Sequence, residues 1–218
     1  MDVRIIIFDF DGTLGDTQEI IVKTQQATMR EMHLPVPSDE ESKATIGLKL
    51  RDCFLAICPT MTDKQADECV TTYQRLFARH KDLFPPVLFP HVRETLVALK
   101  RKGLVLTIAS SRSSASLHEL VHELGIADCI DFIVGADEVA HPKPDAEPVL
   151  LTLQEKGFHA DEALVVGDMP VDLLMGRNAG TRTCAVTYGN ATRRTLEHAG
   201  ADFIIDDITE LIQILILN

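Results

Sequence analysis

The residues best equipped for chemistry in this chain are aspartates that come in pairs. Asp9 and Asp11 flank Phe10 in the stretch RIIIFDFDGTL, and Asp168 and Asp172 share the stretch GDMPVD. Between these pairs lie Ser110 and Ser111 in IASSR, and Lys143 in the proline-rich loop HPKPDAEP. Side chains alternate along a strand, so Asp9 and Asp11 share one side and Phe10 takes the other. Two carboxylates so close repel each other; they share a proton or hold a cation between them. If all these groups converge, four carboxylates face one ammonium and two hydroxyls. Such a set is not stable in a dry site without a cation. A divalent ion that prefers oxygen ligands, most simply Mg²⁺, answers that need.

The elements that must position these groups can be read from the apolar pattern. Ile5, Ile6, Ile7 and Phe8 form a continuous run broken by an Asp-Gly turn. That is the pattern of a strand buried on both faces in a parallel sheet. Beyond residue 91 strand-like and helix-like runs alternate, with strands at 104–109, 132–134, 163–166, 184–186 and 203–205. Alternation of this kind implies a parallel sheet covered on both sides. Each polar cluster follows one of these strands, and ligands of open α/β sheets bind beyond the strands' carboxyl ends.

Residues 15–90 read differently, as helices. Asp16 or Thr17 is placed to cap the first helix. Ser38 with Glu41 and Thr62 with Gln65 have capping-box spacing, and Gly47 can end a short helix. So many helical residues exceed a simple crossover. The expected architecture is α/β: a Rossmann-like parallel sheet core, residues 1–15 and 86–218, with an inserted all-helical cap domain, residues 16–85.

Composition narrows the classes. The chain has 218 residues, 45% hydrophobic and 25% charged, with a net charge of -12 from 33 acidic and 21 basic residues. An acidic surface argues against broad nucleic-acid or anionic-membrane binding. The five cysteines include no C-x-x-C pair, which fits a reduced, cytoplasmic protein with buried thiols. The N-terminal apolar run, entered through Asp2 and Arg4, is too short for a signal peptide, and LIQILILN at the C-terminus is too short to span a bilayer.

The set of motifs resembles the haloacid dehalogenase superfamily, in its phosphatase branch and in the style of phosphoglycolate phosphatases with a helical cap. The first motif of that family, D-x-D-G-T-[LV], stands here as Asp9 to Leu14. The second, a Ser or Thr after a strand, matches Ser110; the lysine of the third matches Lys143; and G-D-x-x-x-D matches Gly167, Asp168 and Asp172. The resemblance implies that Asp9 is the nucleophile that takes the phosphoryl group and that Asp11 is the general acid and base. It implies Mg²⁺ on the Asp9 carboxylate, the Asp11 carbonyl oxygen and Asp168, with Asp172 direct or through water. Ser110, Ser111 and Lys143 are expected to hold phosphoryl oxygens. The substrate is then a small phosphorylated metabolite, and the protein a monomer or weak homodimer. Inorganic pyrophosphatase and a β-phosphoglucomutase-like phosphotransferase are the alternatives in the same superfamily. Asp11 speaks against dehalogenation, whose branch lacks that second aspartate. Two positions depart from the family pattern: Pro90-His91-Val92 replaces Pro-Gly-Val, and Ala146 replaces a proline after Lys143.

Two further features bear on function. In the expected cap, Lys49 and Arg51 follow the Gly47 turn, and Arg51 is the better candidate to bind a second anionic group on the substrate. His118-Glu119-Leu120-Val121-His122 fits the zinc-protease pattern H-E-x-x-H. Both histidines flank the apolar stripe Leu117, Leu120, Val121 and Leu124, which places them at its solvent edge instead. A non-catalytic binding protein on the same fold has no need of the complete charge set.

Overall fold

Ile5, Ile6, Ile7 and Phe8 are fully buried because they form β1 (Ile5–Phe8), an interior strand of a six-stranded sheet. This computed structural model describes residues 3–217; the parts of the readings above that fall on Met1, Asp2 and Asn218 lie outside them. After β1 come β2 (Gly15–Asp16), then α1 (Gln18–Glu31), α2 (Asp39–Lys43), α3 (Leu50–Ile57) and α4 (Asp63–His80), then β3 (Val87–Leu88). Alternation follows: α5 (Val92–Arg101), β4 (Val105–Ala109), α6 (Ser114–Glu123), β5 (Phe132–Val134) and α7 (Glu147–Lys156). The chain continues with β6 (Ala163–Gly167), α8 (Pro170–Asn178), β7 (Arg182–Val186), α9 (Arg193–Ala199), β8 (Phe203–Ile205) and α10 (Glu210–Leu217).

The sheet order is β5-β4-β1-β6-β7-β8, and every pair is parallel. Alternation along β1 feeds two cores. Ile6 and Phe8 join Leu106, Ile108, Leu164 and Val166 on the face covered by α5, α6 and α10. Ile5 and Ile7 join Val165, Val149, Leu153 and Met175 on the face covered by α7 and α8. Each such side chain contributes about 1.5–3 kcal/mol by leaving water. The all-parallel sheet explains why β1 reads as an unbroken apolar run.

Helices α1, α3 and α4 pack around a separate cluster that includes Ile20, Met29, Phe54, Cys69, Tyr73 and Phe77. Phe54 and Tyr73 meet edge to face with ring centroids 6.1 Å apart. Both capping boxes form: the Ser38 hydroxyl accepts from Glu41 N–H, and the Thr62 hydroxyl from Gln65 N–H. The expected cap of α1 does not. Thr17 sits at that position, but its side chain makes no cap hydrogen bond; it donates instead to Asp11 Oδ1 at 2.5 Å. Strands β2 and β3 pair antiparallel, Gly15 with Leu88 and Asp16 with Val87. Two-residue strands carry no periodicity, which is why the sequence pattern shows only helices there.

His91 takes a left-handed backbone conformation, φ 63°, at the start of α5. Its ring Nδ1 lies 2.8 Å from Asp207 Oδ2. Cys53, Cys58, Cys69 and Cys184 are buried free thiols and Cys129 is half-buried. Burial pushes the Cys53 thiol up to about 12. Among the described residues no helix is long and apolar enough to cross a membrane.

Candidate active site

The site begins where β1 ends. The Asp9 N–H still bonds to Val166 O at 2.8 Å, so the nucleophile candidate is fixed by the sheet itself. Its side chain is 8% exposed. Lys143 reaches it from the loop after β5 and donates to Asp9 Oδ1 at 2.5 Å and to Asp172 Oδ1 at 2.7 Å. The lysine side chain is 2% exposed. Burial opposes its charge, but Asp172 and Asp9 outweigh that and hold its pKa above the ordinary lysine value. Burial raises the Asp9 carboxyl well above its usual range; Lys143 opposes this, while Asp172, Asp168 and Asp11 add to it. The short contacts are those of a charge-assisted pair.

Asp168 is fully buried at the end of β6. It accepts from Asn190 N–H at 2.6 Å and Asn190 Nδ2 at 2.8 Å, both on Oδ2. Thr13 Oγ1 donates to its other oxygen at 3.2 Å. Burial, then the charge of Asp172, raises the Asp168 carboxyl, against the bonds from Asn190 and Thr13. Asp172 lies in the first turn of α8 and accepts from Met169 N–H at 2.9 Å, which closes that helix start. Asp9, Asp168 and Asp172 each offer an oxygen within 4.8 Å of the others. Three buried carboxylates with one ammonium among them, all hard oxygen donors, fit Mg²⁺. Gly12, at φ +92°, packs against this group; a Cβ there would stand 2.2 Å from Asp168 Oδ2 and Asn190 Nδ2.

The Asp11 carboxylate turns away from that trio. Arg112 Nε donates to both its oxygens, with Thr17 Oγ1 as a second donor, to Oδ1. Only the Asp11 main-chain carbonyl faces the Asp168 side, where Asn190 Nδ2 approaches at 3.4 Å. The Arg112 guanidinium lies over the Phe77 ring, 4.8 Å from its centroid. Ser110 is buried at the end of β4, its Oγ 3.4 Å from Arg112 N. Ser111 donates to Gly47 O at 2.6 Å. That bond ties the loop after β4 to the helical segment.

A cavity of about 770 Å³ opens between this loop and α1, α3 and α4, with Asp11, Ser111 and Arg112 at its edge. Lys49 and Arg51 also line it. Arg51 is already engaged: Nε donates to Asp67 Oδ1 at 2.9 Å and a terminal nitrogen to Asp63 Oδ1 at 2.5 Å. His118 and His122 are exposed, and Glu119 is paired with Lys81 at 2.7 Å. Among the described residues the carboxylate trio is the group placed to hold a metal, and the H-E-x-x-H helix is not part of it.

Of the residues expected to converge, the structure brings Asp9, Lys143, Asp168 and Asp172 together, and it gives the Asp11 carboxylate and the Ser111 hydroxyl other partners. Arg112 and Asn190 have no part in the sequence pattern, and Thr13 and Thr17 enter it only as a motif residue and a helix cap. Arg112 stands beside the two serines in IASSR, and Asn190 follows the end of β7, so both lie where strand ends converge. Being polar residues in loops, they carry no periodic signal.

Fold and site first define a class: a doubly wound α/β protein with a carboxylate-rich site at the end of an interior strand. Within it, the chain belongs to the haloacid dehalogenase-like hydrolase family, whose sequence model matches residues 6–186. The probable phosphatase IndB of Dickeya dadantii (strain 3937) is 36% identical over 211 residues, covering 95% of this chain and 91% of that protein. The pyrophosphatase PpaX of Oceanobacillus iheyensis is 34% identical, covering 98% of this chain and 97% of that protein. Among solved structures, a putative haloacid dehalogenase-like hydrolase from Bacteroides fragilis superposes with a TM-score of 0.87 at 27% identity, covering 96% of this chain and 99% of that one.

Proposed function

We propose that this protein is a phosphatase that hydrolyses small phosphate monoesters through an aspartyl phosphate on Asp9. One observation carries this: the carboxylate held by the sheet at the end of β1 meets a buried lysine at 2.5 Å, with two more buried carboxylates beside it. A phosphoryl group brought to Asp9 finds Lys143 to hold its oxygens, together with Ser110 and the main-chain N–H groups of Phe10 and Asp11; Ser111 joins them on giving up its bond to Gly47 O. An Asp9 oxygen attacks phosphorus in line as the ester oxygen leaves. Asp11 enters this role protonated, with an oxygen released from Arg112; it gives the leaving oxygen that proton, then takes one from the water that cleaves the acyl phosphate. Asp9, Asp168 and the Asp11 carbonyl oxygen, with Asp172 nearby, are the groups to hold Mg²⁺, which supplies positive charge against the phosphoryl oxygens.

The helical segment 16–85 acts as a cap on a core of residues 1–15 and 86–218. The β2–β3 pair is where the chain crosses between them, and the cavity between the two takes the leaving group. The PpaX relative at 34% identity favours pyrophosphate as a second substrate reading. Asp9→Asn tests the chemistry. Turnover of p-nitrophenyl phosphate should fall by roughly a thousandfold or more, with the circular dichroism spectrum unchanged. Activity near that of the unaltered protein refutes the role of Asp9.

A further inference from the structure

We propose that the alcohol released by this enzyme is bulky, uncharged and largely apolar. This rests on the phosphatase reading above and adds the nature of the leaving group.

The cavity beside Asp11 measures about 770 Å³, well within the roughly 300–1,000 Å³ of small-molecule sites. Its helical wall carries the apolar side chains Ile21, Leu50, Val70, Tyr73 and Phe77, with Ile46 just before α3, beside the polar Gln25, Thr71 and Gln74. A departing phosphate or glycolate is far smaller and makes little use of such a wall.

Charge points the same way. A second phosphate or a carboxylate needs cations with positive charge to spare, and those of the cavity have little. Arg51 is matched by Asp63 and Asp67. Lys81 is matched by Glu119 and Glu123. Arg112 is held by Asp11. Lys49 is the lining cation with no carboxylate partner among the described residues; Asp137, also on the lining, accepts from Ser114 N–H at 2.7 Å. The four cations on the lining are balanced there by four carboxylates, Asp11, Asp67, Glu119 and Asp137. An anionic leaving group therefore gains no net attraction from the wall, and among the described residues it finds only Lys49 and one terminal nitrogen of Arg112 without a partner. An uncharged alcohol leaves every pair intact and draws its affinity from apolar contact.

The experiment uses primary alkyl phosphates of rising chain length, ethyl, butyl and hexyl, alongside pyrophosphate and phosphoglycolate. The leaving oxygens of the alkyl series are of similar acidity, so the chemical step is constant. Apolar burial predicts a gain in kcat/KM of roughly fourfold per methylene, about a hundredfold or more over the four methylenes from ethyl to hexyl. Hexyl phosphate should exceed both pyrophosphate and phosphoglycolate by about tenfold or more. Val70→Asp sets a charge on the apolar wall away from the phosphoryl site. It should lower kcat/KM for hexyl phosphate about tenfold while moving ethyl phosphate less than about twofold. A flat alkyl series, or preference for either dianionic competitor, overturns the proposal while turnover of ethyl phosphate upholds the phosphatase reading. No turnover of any ester, p-nitrophenyl phosphate included, overturns both.

Discussion

Arg112 holds Asp11 through a single shared N–H: Nε donates to Asp11 Oδ1 at 2.8 Å and to Oδ2 at 2.7 Å. The two side chains are 11% and 13% exposed, and one terminal nitrogen of Arg112 is buried with no partner. Arg112 is therefore the positioning residue for Asp11. Arg112→Ala leaves a largely buried carboxylate with Thr17 as its only side-chain donor. Stability should fall by about 2–4 kcal/mol in denaturant unfolding. kcat should drop roughly tenfold to a hundredfold with KM moving much less, because a misaimed acid affects the chemical step. Arg112→Lys should recover part of both, since lysine keeps the charge but not the planar fork. An unchanged kcat removes the positioning role.

Asp11 itself is tested by the leaving group. Asp11→Asn should damage hydrolysis of alkyl phosphates by roughly a hundredfold or more, since their alkoxides need a proton. p-Nitrophenyl phosphate, whose phenolate leaves unaided, should lose far less. Equal losses on both substrates contradict an acid at this position.

The carboxylate trio predicts an ordered response to metal. Chelation should stop turnover, Mg²⁺ should restore it, and Ca²⁺ should substitute poorly because it prefers looser, higher coordination. Asp172 is occupied on both oxygens, by Lys143 and by Met169 N–H. Asp168 has one oxygen held only by a 3.2 Å bond from Thr13. Titration calorimetry should thus show Asp168→Ala weakening Mg²⁺ binding more than Asp172→Ala. Matching isotherms for the two variants contradict this order.

Gly12 links backbone geometry to the same group. A methyl at φ +92° is strained, and it would meet Asp168 and Asn190 at 2.2 Å. Gly12→Ala should cost about 2 kcal/mol or more in stability and weaken Mg²⁺ binding at least about tenfold by displacing Asp168. Tight binding of Mg²⁺ by this variant contradicts the close approach.

The legible part of the molecule is the part that repeats. The β1 run, the strand–helix alternation and the two capping boxes follow from periodicity and local spacing, and the structure contains them. Asp9, Asp168, Asp172 and Lys143 were legible because each closes or follows an apolar strand. Thr17 shows the limit. Its spacing marks a helix cap, yet the nearby Asp11 carboxylate takes its hydroxyl, and tertiary contacts decide such competition. Arg51 shows the same limit: the turn of basic residues is visible, but Asp63 and Asp67 reach it from another helix. His91 occupies the left-handed position where the family pattern has glycine, and its bond to Asp207 joins distant parts of the chain.

The position of β1 has a consequence for how the chain is made. Ile5 pairs with Val105 on one side and Ala163 on the other, so on the ribosome this strand is synthesised long before either neighbour. Until β4 and β6 emerge, IIIF is an apolar segment with two open edges, the kind that recruits foreign strands. Helices α1–α4 emerge in the interval and have their own cluster to close. Assembly of the sheet depends on contacts distant in sequence, which makes it slow relative to that local closure. The strand that anchors Asp9 is therefore also a liability for aggregation in the nascent chain, and it stays so until β6 has been translated.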